Sequence, residues 1–326
     1  MRTRQLGATD LHLSTVGFGA WAIGGGGWAF GWGPQDDDES IRAIHRALDL
    51  GVNWIDTAAV YGLGHSEEVV ARALSDRPGR VIVATKCGLR WRDSGAVHGS
   101  LRADSIRKEV EDSLRRLRLE TIDLYQIHWP NPDRQIEEGW GTVAELVREG
   151  KIRHAGVSNF SVAQMKRAQG IHPIASLQPP YSMVDRAVEA DLLPFCAEHR
   201  IGVVAYSPLQ NGLLTGKFSR QRLEQLDAGD WRHKSPSFQE PVFGKTLELV
   251  QRLEPLTRDA RRTPAQLAIA WVLRRPEVTS AIVGARRPAQ IEETAPAGDW
   301  ELTGAELAQV EQIMNEVAVP GPAPLR

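Results

Sequence analysis

Cysteine, long apolar runs and any surplus of one charge are all scarce in this 326-residue sequence, and each scarcity removes a class of protein. The two cysteines, Cys87 and Cys196, are too few for a disulfide framework or a four-thiolate metal site. Both lie in apolar sequence and are expected to be small buried hydrophobes. Lysine and arginine number 39 against 41 acidic residues, a net charge of −2, so the electrostatic footprint of a nucleic-acid binder is missing. No run of about 18 apolar residues offers a membrane span, and Met1 to Gly7 lacks the apolar core of a signal peptide. The chain is expected to be cytoplasmic, with neither membrane nor nucleic acid as partner.

What is present is alternation. Short β-type apolar runs fall at 15–19, 52–55, 81–84, 122–127, 154–157, 175–177, 202–205 and 280–283. Stretches of helical period lie between them, at 38–50, 66–74, 101–118, 136–149, 161–169 and 188–199, with a cluster from 245 to 274. Asp38, Ser66, Thr263 before Pro264, and the Thr303/Glu306 pair carry helix-start chemistry. Gly51, Gly150 and Gly170 stand at expected helix ends.

Eight strand-then-helix units without a compositional break predict a single domain over 1–326, a (β/α)8 TIM barrel of the α/β class. An N-terminal β-hairpin formed by 3–6 and 11–13 precedes it, and extra C-terminal helices follow. Two connections are unusually long, 24–34 and 210–242.

Chemistry on such a barrel sits at the carboxyl ends of the strands. Asp56 and Tyr61 follow the second run, Lys86 the third and His128 the fourth, so four titratable groups converge on one rim. A phenol beside an ammonium pinned by a carboxylate is a proton-donor device, with the cation expected to lower the phenol pKa and His128 free to bond a carbonyl oxygen. None of these groups carries electrons, so an electron-carrying cofactor is required. Arg286 and Arg287 follow the eighth run, where barrels often hold phosphate, and a guanidinium fork suits a phosphate or stacks on a flat ring.

Simpler readings account for several other features. Gly17-x-Gly19-x-x-Ala22 has the spacing of a dinucleotide fingerprint, but four further glycines follow it and no helical period starts before Asp38. The run Asp36 to Glu39 is a solvated helix start rather than a metal site, and Gly24 to Gly27 is a rim loop rather than a phosphate cradle. No metal is expected. Trp28, Phe30 and Trp32 lie near the glycine-rich loop, and Trp21, Trp91 and Trp129 are candidate walls of a substrate pocket.

"NWIDTAAVYGLGHSE", "VIVATKCG", "IDLYQIHWP" and "GVSNF", flanked by "LGATDLHLSTVGFGAW" and "GARRPAQIEE", resemble the aldo-keto reductase superfamily over nearly the whole chain. "QPPYSMVDR" and the stretch from Phe30 to Gly51 are most similar to the bacterial branch of inositol-utilisation-type and general-stress reductases. The resemblance implies an NADP(H)-dependent reductase of aldehydes or ketones acting on a small-molecule carbonyl or alcohol; for such a cofactor an Arg286 fork on the 2′-phosphate favours NADPH over NADH, whereas Arg286 stacked on adenine would not. Tyr61 is then the general acid, Lys86 and Asp56 its tuning pair, and His128 orients the carbonyl. It implies Ser158, Asn159 and Gln178 at the carboxamide and Tyr206 on the nicotinamide ring. Ser207, Leu209, Gly212, Thr215, Gly216 and Lys217 are implied at the pyrophosphate, and Gly284, Arg286, Gln290 and Glu293 at the adenosine. Glu293 is followed by Thr294 where many members have asparagine. An NADP+-preferring sugar or polyol dehydrogenase and a cofactor-binding regulatory subunit are the alternative readings.

Overall fold

A computed structural model describes residues 1–75, 77 and 79–321; the Pro-rich end at 322–326 lies outside the described residues. Strands β1 (Thr3–Gln5) and β2 (His12–Ser14) form the expected hairpin, pairing antiparallel with Arg4 opposite Leu13. Eight parallel strands then close a barrel: β3 (Val16–Gly19), β4 (Trp54–Asp56), β5 (Ile82–Cys87), β8 (Ile122–Ile127), β9 (Ile152–Ser158), β10 (Ser176–Gln178), β11 (Gly202–Ala205) and β12 (Val278–Gly284), with β12 beside β3. Every expected run is a barrel strand. Between β5 and β8 lies a hairpin absent from the sequence reading, β6 (Leu89–Trp91) with β7 (Val97–Gly99), which borders the rim.

The outer ring contains α1 (Asp37–Asp49), α2 (His65–Ser75), α3 (Ala103–Leu117), α4 (Ile136–Arg148), α5 (Val162–Gln169), α6 (Leu192–Glu198), α8 (Val242–Asp259), α9 (Pro264–Leu273), α10 (Pro288–Thr294) and α11 (Gly304–Val317), while α7 (Arg220–Glu224) lies within the long connection after β11. Thr303 closes the expected capping box with Glu306, and Thr263, expected as a helix start before Pro264, closes another with Gln266. Two expected caps are corrected. Asp36, not Asp38, accepts the backbone N–H of Glu39 at 2.7 Å. Ser66 is buried inside the first turn of α2, where its Oγ donates to the Ala20 carbonyl at 2.8 Å. The single helix expected over 188–199 is instead a 3-10 turn, Ala187–Glu189, and the separate helix α6. Pro194 is tolerated in the first turn of α6 because its missing N–H has no helical acceptor there.

Apolar residues fill two layers. One lies between strands and helices; the other is inside the barrel, where Leu6, Leu11 and Leu13 of the hairpin region meet Trp54, Ala84, Leu124, Val204 and Ile282. The hairpin therefore plugs the barrel floor. Trp54 anchors this plug through its indole N–H, 3.0 Å from Ser280 Oγ and 3.2 Å from the Ser14 carbonyl. Its ring occupies the space a side chain at position 17 would take, since a Cβ there would lie 2.1 Å from Trp54 Cε2. Gly17 belongs to this packing contact and not to a phosphate loop. Gly17→Ala is expected to destabilise the protein by about 3 kcal/mol through overpacking, read as a drop in the urea midpoint with an unchanged m-value.

Candidate active site

Strand β5 runs three residues past the apolar stretch that announces it, so Thr85, Lys86 and Cys87 are inside the barrel sheet. In register with Ile55–Val83 and Asp56–Ala84, β4 and β5 bring Asp56 and Lys86 together. Lys86 is 1% exposed and Asp56 3%. The ammonium Nζ donates to Asp56 Oδ1 at 2.9 Å, Asp56 Oδ2 at 2.7 Å and the Thr57 carbonyl at 2.9 Å, and lies 3.4 Å from Tyr61 Oη. Gln178, at the end of β10, donates its amide to Asp56 Oδ1 at 2.8 Å. Asp56 is thus held from two sides of the barrel. The imidazole of His128 stands edge-on to the Tyr61 ring, centroids 5.7 Å apart.

The electrostatics correct one expectation. Tyr61 is not acidified here: burial, and then the Asp56 charge, hold its pKa well above the usual value for a phenol. Burial also lowers the Lys86 pKa, against which the Asp56 carboxylate raises it. His128 is pushed well below the usual histidine value by burial and by Lys86, so its imidazole is neutral at pH 7. A protonated phenol and a neutral imidazole therefore face the same opening, with a cation behind the phenol oxygen.

Around the rim, β9 to β11 supply an amide and ring cluster. Asn159, in the left-handed region at φ 62°, donates to the His128 carbonyl at 3.0 Å and to Ser158 Oγ at 3.0 Å. Its Oδ1 accepts from the Tyr206 hydroxyl at 2.9 Å, which fixes the Tyr206 ring at the barrel mouth. Ser158 Oγ donates to the Gln178 carbonyl at 2.8 Å, so its hydroxyl braces the sheet end. After β11, Ser207, Gln210, Asn211 and Gly212 all have positive φ. This tight turn receives the Gly212 N–H at the Leu209 carbonyl, 3.0 Å, and Thr215 Oγ1 at the Gly212 carbonyl, 2.7 Å. Gly216, at φ 74°, lets Pro264 approach to 2.9 Å from where its Cβ would be. The polar amides, the held ring, the backbone turn and the cations Lys217, Arg286 and Arg287 have the chemistry to hold a dinucleotide.

The sequence model of the Aldo/keto reductase family matches residues 15–315. The chain belongs to the aldo-keto reductase family. It is 38% identical over 324 residues to aldo-keto reductase YhdN of Bacillus subtilis, covering 98% of this chain and 96% of that protein. It is 35% identical to the NADH-specific methylglyoxal reductase of Escherichia coli, covering 98% of each. Among solved structures, the glycerol dehydrogenase AKR11B4 from Gluconobacter oxydans is 43% identical with a TM-score of 0.88, covering 99% of this chain and 97% of that one.

Two long connections roof the site of this aldo-keto reductase. Trp21 lies over Tyr61 at 6.3 Å between centroids, and Trp28 at 6.4 Å. Trp231, from the connection after β11, stacks on Trp21 at 5.1 Å and meets Trp32 edge-on at 5.9 Å. Arg232 lies over the Trp32 ring at 4.5 Å while bound to Asp230 at 2.6 Å. Trp231 was missed in the sequence because it sits 170 residues from Tyr61 in a stretch with no periodic signal; only its length marked that stretch as functional. Trp91, on β6 beside the rim, packs against the Arg116 guanidinium at 6.0 Å. Trp129 follows His128 at the end of β8, partly buried, and shows no ring contact with Tyr61.

Most side chains expected at the pyrophosphate end or the adenosine already have partners within the protein. Lys217 and Glu293 pair with each other. Gln290 accepts the Arg286 backbone N–H at 2.7 Å, and Thr294 Oγ1 turns back to the Gln290 carbonyl at 2.9 Å. Gly284 is exposed at the β12 end, with nothing nearer than 3.8 Å to a Cβ built there. Arg286, expected at the adenosine end, bonds Gln35 and the carbonyls of Trp32 and Pro34 through its guanidinium nitrogens. Among the described residues no cluster of three or more His, Cys, Asp or Glu is placed to hold a metal ion. Among them too, no helix is long and apolar enough to cross a membrane.

Behind Lys86 lies a buried acidic layer that the sequence reading passed over. Glu67, fully buried in the first turn of α2, accepts from Thr85 Oγ1 and Arg116 Nε, each at 2.6 Å. Glu109 accepts the Gly88 N–H at 2.8 Å and Ser105 Oγ at 2.9 Å, tying α3 to the end of β5. Burial raises the Glu109 pKa to about 7. The buried side chain therefore binds its proton more tightly than the unfolded chain does, and between the ordinary carboxylate range and about pH 7 stability falls as pH rises. Glu109→Gln is expected to remove that component: urea midpoints of wild type should decline relative to the variant between pH 5 and pH 8, and parallel curves would refute the assignment.

Proposed function

We propose that this aldo-keto reductase transfers a hydride from NADPH to an aldehyde or ketone, with Tyr61 as general acid, and catalyses the reverse alcohol oxidation under suitable ratios. The observation that carries the reading is the Lys86 ammonium, saturated by Asp56 and the Thr57 carbonyl and 3.4 Å from the Tyr61 oxygen. The reduced nicotinamide supplies the hydride to the carbonyl carbon. Tyr61 holds the proton at neutral pH because burial disfavours its anion, and delivers it to the carbonyl oxygen as negative charge develops there. The phenolate left behind faces Lys86, whose charge Asp56 maintains, so the cation acts on the transition state more than on the resting phenol. Neutral His128 donates to the same carbonyl oxygen and orients it.

In this reading Asn159 and Gln178 bond a carboxamide, Tyr206 lies against the ring, and the turn from Ser207 to Gly212 with Lys217 receives the phosphates; the held Tyr206 ring and the positive-φ turn support it. Arg286 and Arg287 favour the 2′-phosphate of NADPH. The roof of Trp21, Trp28 and Trp231 excludes water and suits a small carbonyl compound with an apolar or ring face. The likeness to a glycerol dehydrogenase favours a second reading in which oxidation of a polyol is the working direction. The name of the NADH-specific relative makes the cofactor preference the first quantity to measure.

Tyr61→Phe removes the proton and keeps the ring. Its kcat for aldehyde reduction is expected to fall by about 10²-fold or more, with the NADPH dissociation constant within about twofold of wild type. A Phe variant at the wild-type rate overturns the assignment. Because the His128 pKa lies well below and the Tyr61 pKa well above their ordinary values, kcat for reduction is expected to be flat from pH 6.5 to pH 8. A rising limb centred in that window would contradict the His128 shift, and a falling limb the Tyr61 shift.

A further inference from the structure

We propose that Gln35 sets the preference of this enzyme for the phosphorylated dinucleotide, by holding the Arg286 guanidinium in place with neutral groups alone. The inference rests on the assignment of Arg286 to the 2′-phosphate made above and adds the residue that makes that arginine selective. Gln35 brackets Arg286 from both ends: its Oε1 accepts from Arg286 Nε at 2.6 Å and its Nε2 donates to the Arg286 backbone carbonyl at 2.8 Å. The same Nε2 lies 2.9 Å from Ser40 Oγ, which in turn donates to the Asp36 carbonyl, so the bracket is rooted in the first turn of α1. Arg286 Nη1 donates to the Trp32 carbonyl at 3.2 Å and Nη2 to the Pro34 carbonyl.

Every acceptor in that set is uncharged. Among the described residues no carboxylate pairs with Arg286, whereas neighbouring Arg232 is matched by Asp230 at 2.6 Å. Burial and the charges of Arg232 and Arg287 disfavour the Arg286 cation; the Asp230 carboxylate, bound to Arg232, favours it without bonding it. A guanidinium that is oriented but not neutralised, with two of its five donors left, retains its full attraction for an incoming dianion and has already lost its rotamer freedom. A carboxylate in place of Gln35 would orient the fork equally well and cancel the charge. A lone arginine on a loop would keep the charge and lose the orientation. Because the acceptors come from the connection after β3, this selectivity is written in a segment far from β12 in sequence and carries no phosphate-binding signature of its own.

The test is titration of intrinsic tryptophan fluorescence with NADPH and with NADH, on wild type, Gln35→Ala, Gln35→Glu and Arg286→Met. Wild type is expected to bind NADPH more tightly, and Arg286→Met to lose that preference. Gln35→Ala is expected to weaken NADPH binding about tenfold and leave NADH unchanged. Gln35→Glu should weaken NADPH at least as much although a carboxylate still reaches Arg286 Nε, and it carries the test if the alanine variant does not fold. Should the preference depend on Arg286 while both Gln35 variants keep the wild-type ratio, the role of Gln35 is overturned and the cofactor reading stands. Should wild type bind the two dinucleotides alike, or Arg286→Met keep the preference, the cofactor reading itself fails and this inference with it.

Discussion

A buried ammonium–carboxylate pair organises the top of this barrel. Removing Lys86 and Asp56 from water carries a desolvation cost of several kcal/mol per ion, and such a pair survives only where geometry and further hydrogen bonds compensate it. Here they do. The ammonium meets both oxygens of Asp56 and the Thr57 carbonyl, and Asp56 receives a second donor from Gln178 across the barrel. Those contacts require β4, β5 and β10 to hold a fixed register, so the chemistry of the rim and the closure of the sheet are one constraint.

The surroundings of the pair show how a barrel separates rigidity from selectivity. Below it, Trp54 and the three leucines of the hairpin region fill the interior without polar chemistry. Behind it, Glu67 and Arg116 clamp Thr85, the residue before Lys86. Above it, the connections after β3 and β11 meet through Trp21, Trp32 and Trp231, which cover Tyr61 with aromatic area. The lower layers set distances, while the roof and the cations at β12 set what enters.

Much of the fold was legible in the sequence because barrel strands buried on both faces read as apolar runs whatever their partners. All eight were found, as were the helix start at Thr263 and the capping box at Thr303, whose signals lie within a few residues. The hairpin β6–β7 was not, since Leu89–Trp91 and Val97–Gly99 are three-residue, partly exposed strands too short for their alternation to form a signal. Ser66 misled as a cap because its hydroxyl serves a contact with Ala20, 46 residues away, that no local pattern announces. The four rim residues were legible for a simpler reason: strand ends are local features, and barrel topology converts them into neighbours.

Sequence by itself therefore determined the repeat of strand and helix, the family, and the set of polar groups that a closed parallel sheet must gather at one end. Tertiary structure decided which of those groups meet and in what state. Arg286 bonds Gln35 across 251 positions, Trp91 packs on Arg116 from α3, and Tyr61 keeps its proton although a lysine stands beside it. Periodicity and capping act over a few residues and leave a trace in the chain. Burial and charge act through space, so the direction in which a pKa moves or a guanidinium turns depends on neighbours the linear order does not supply.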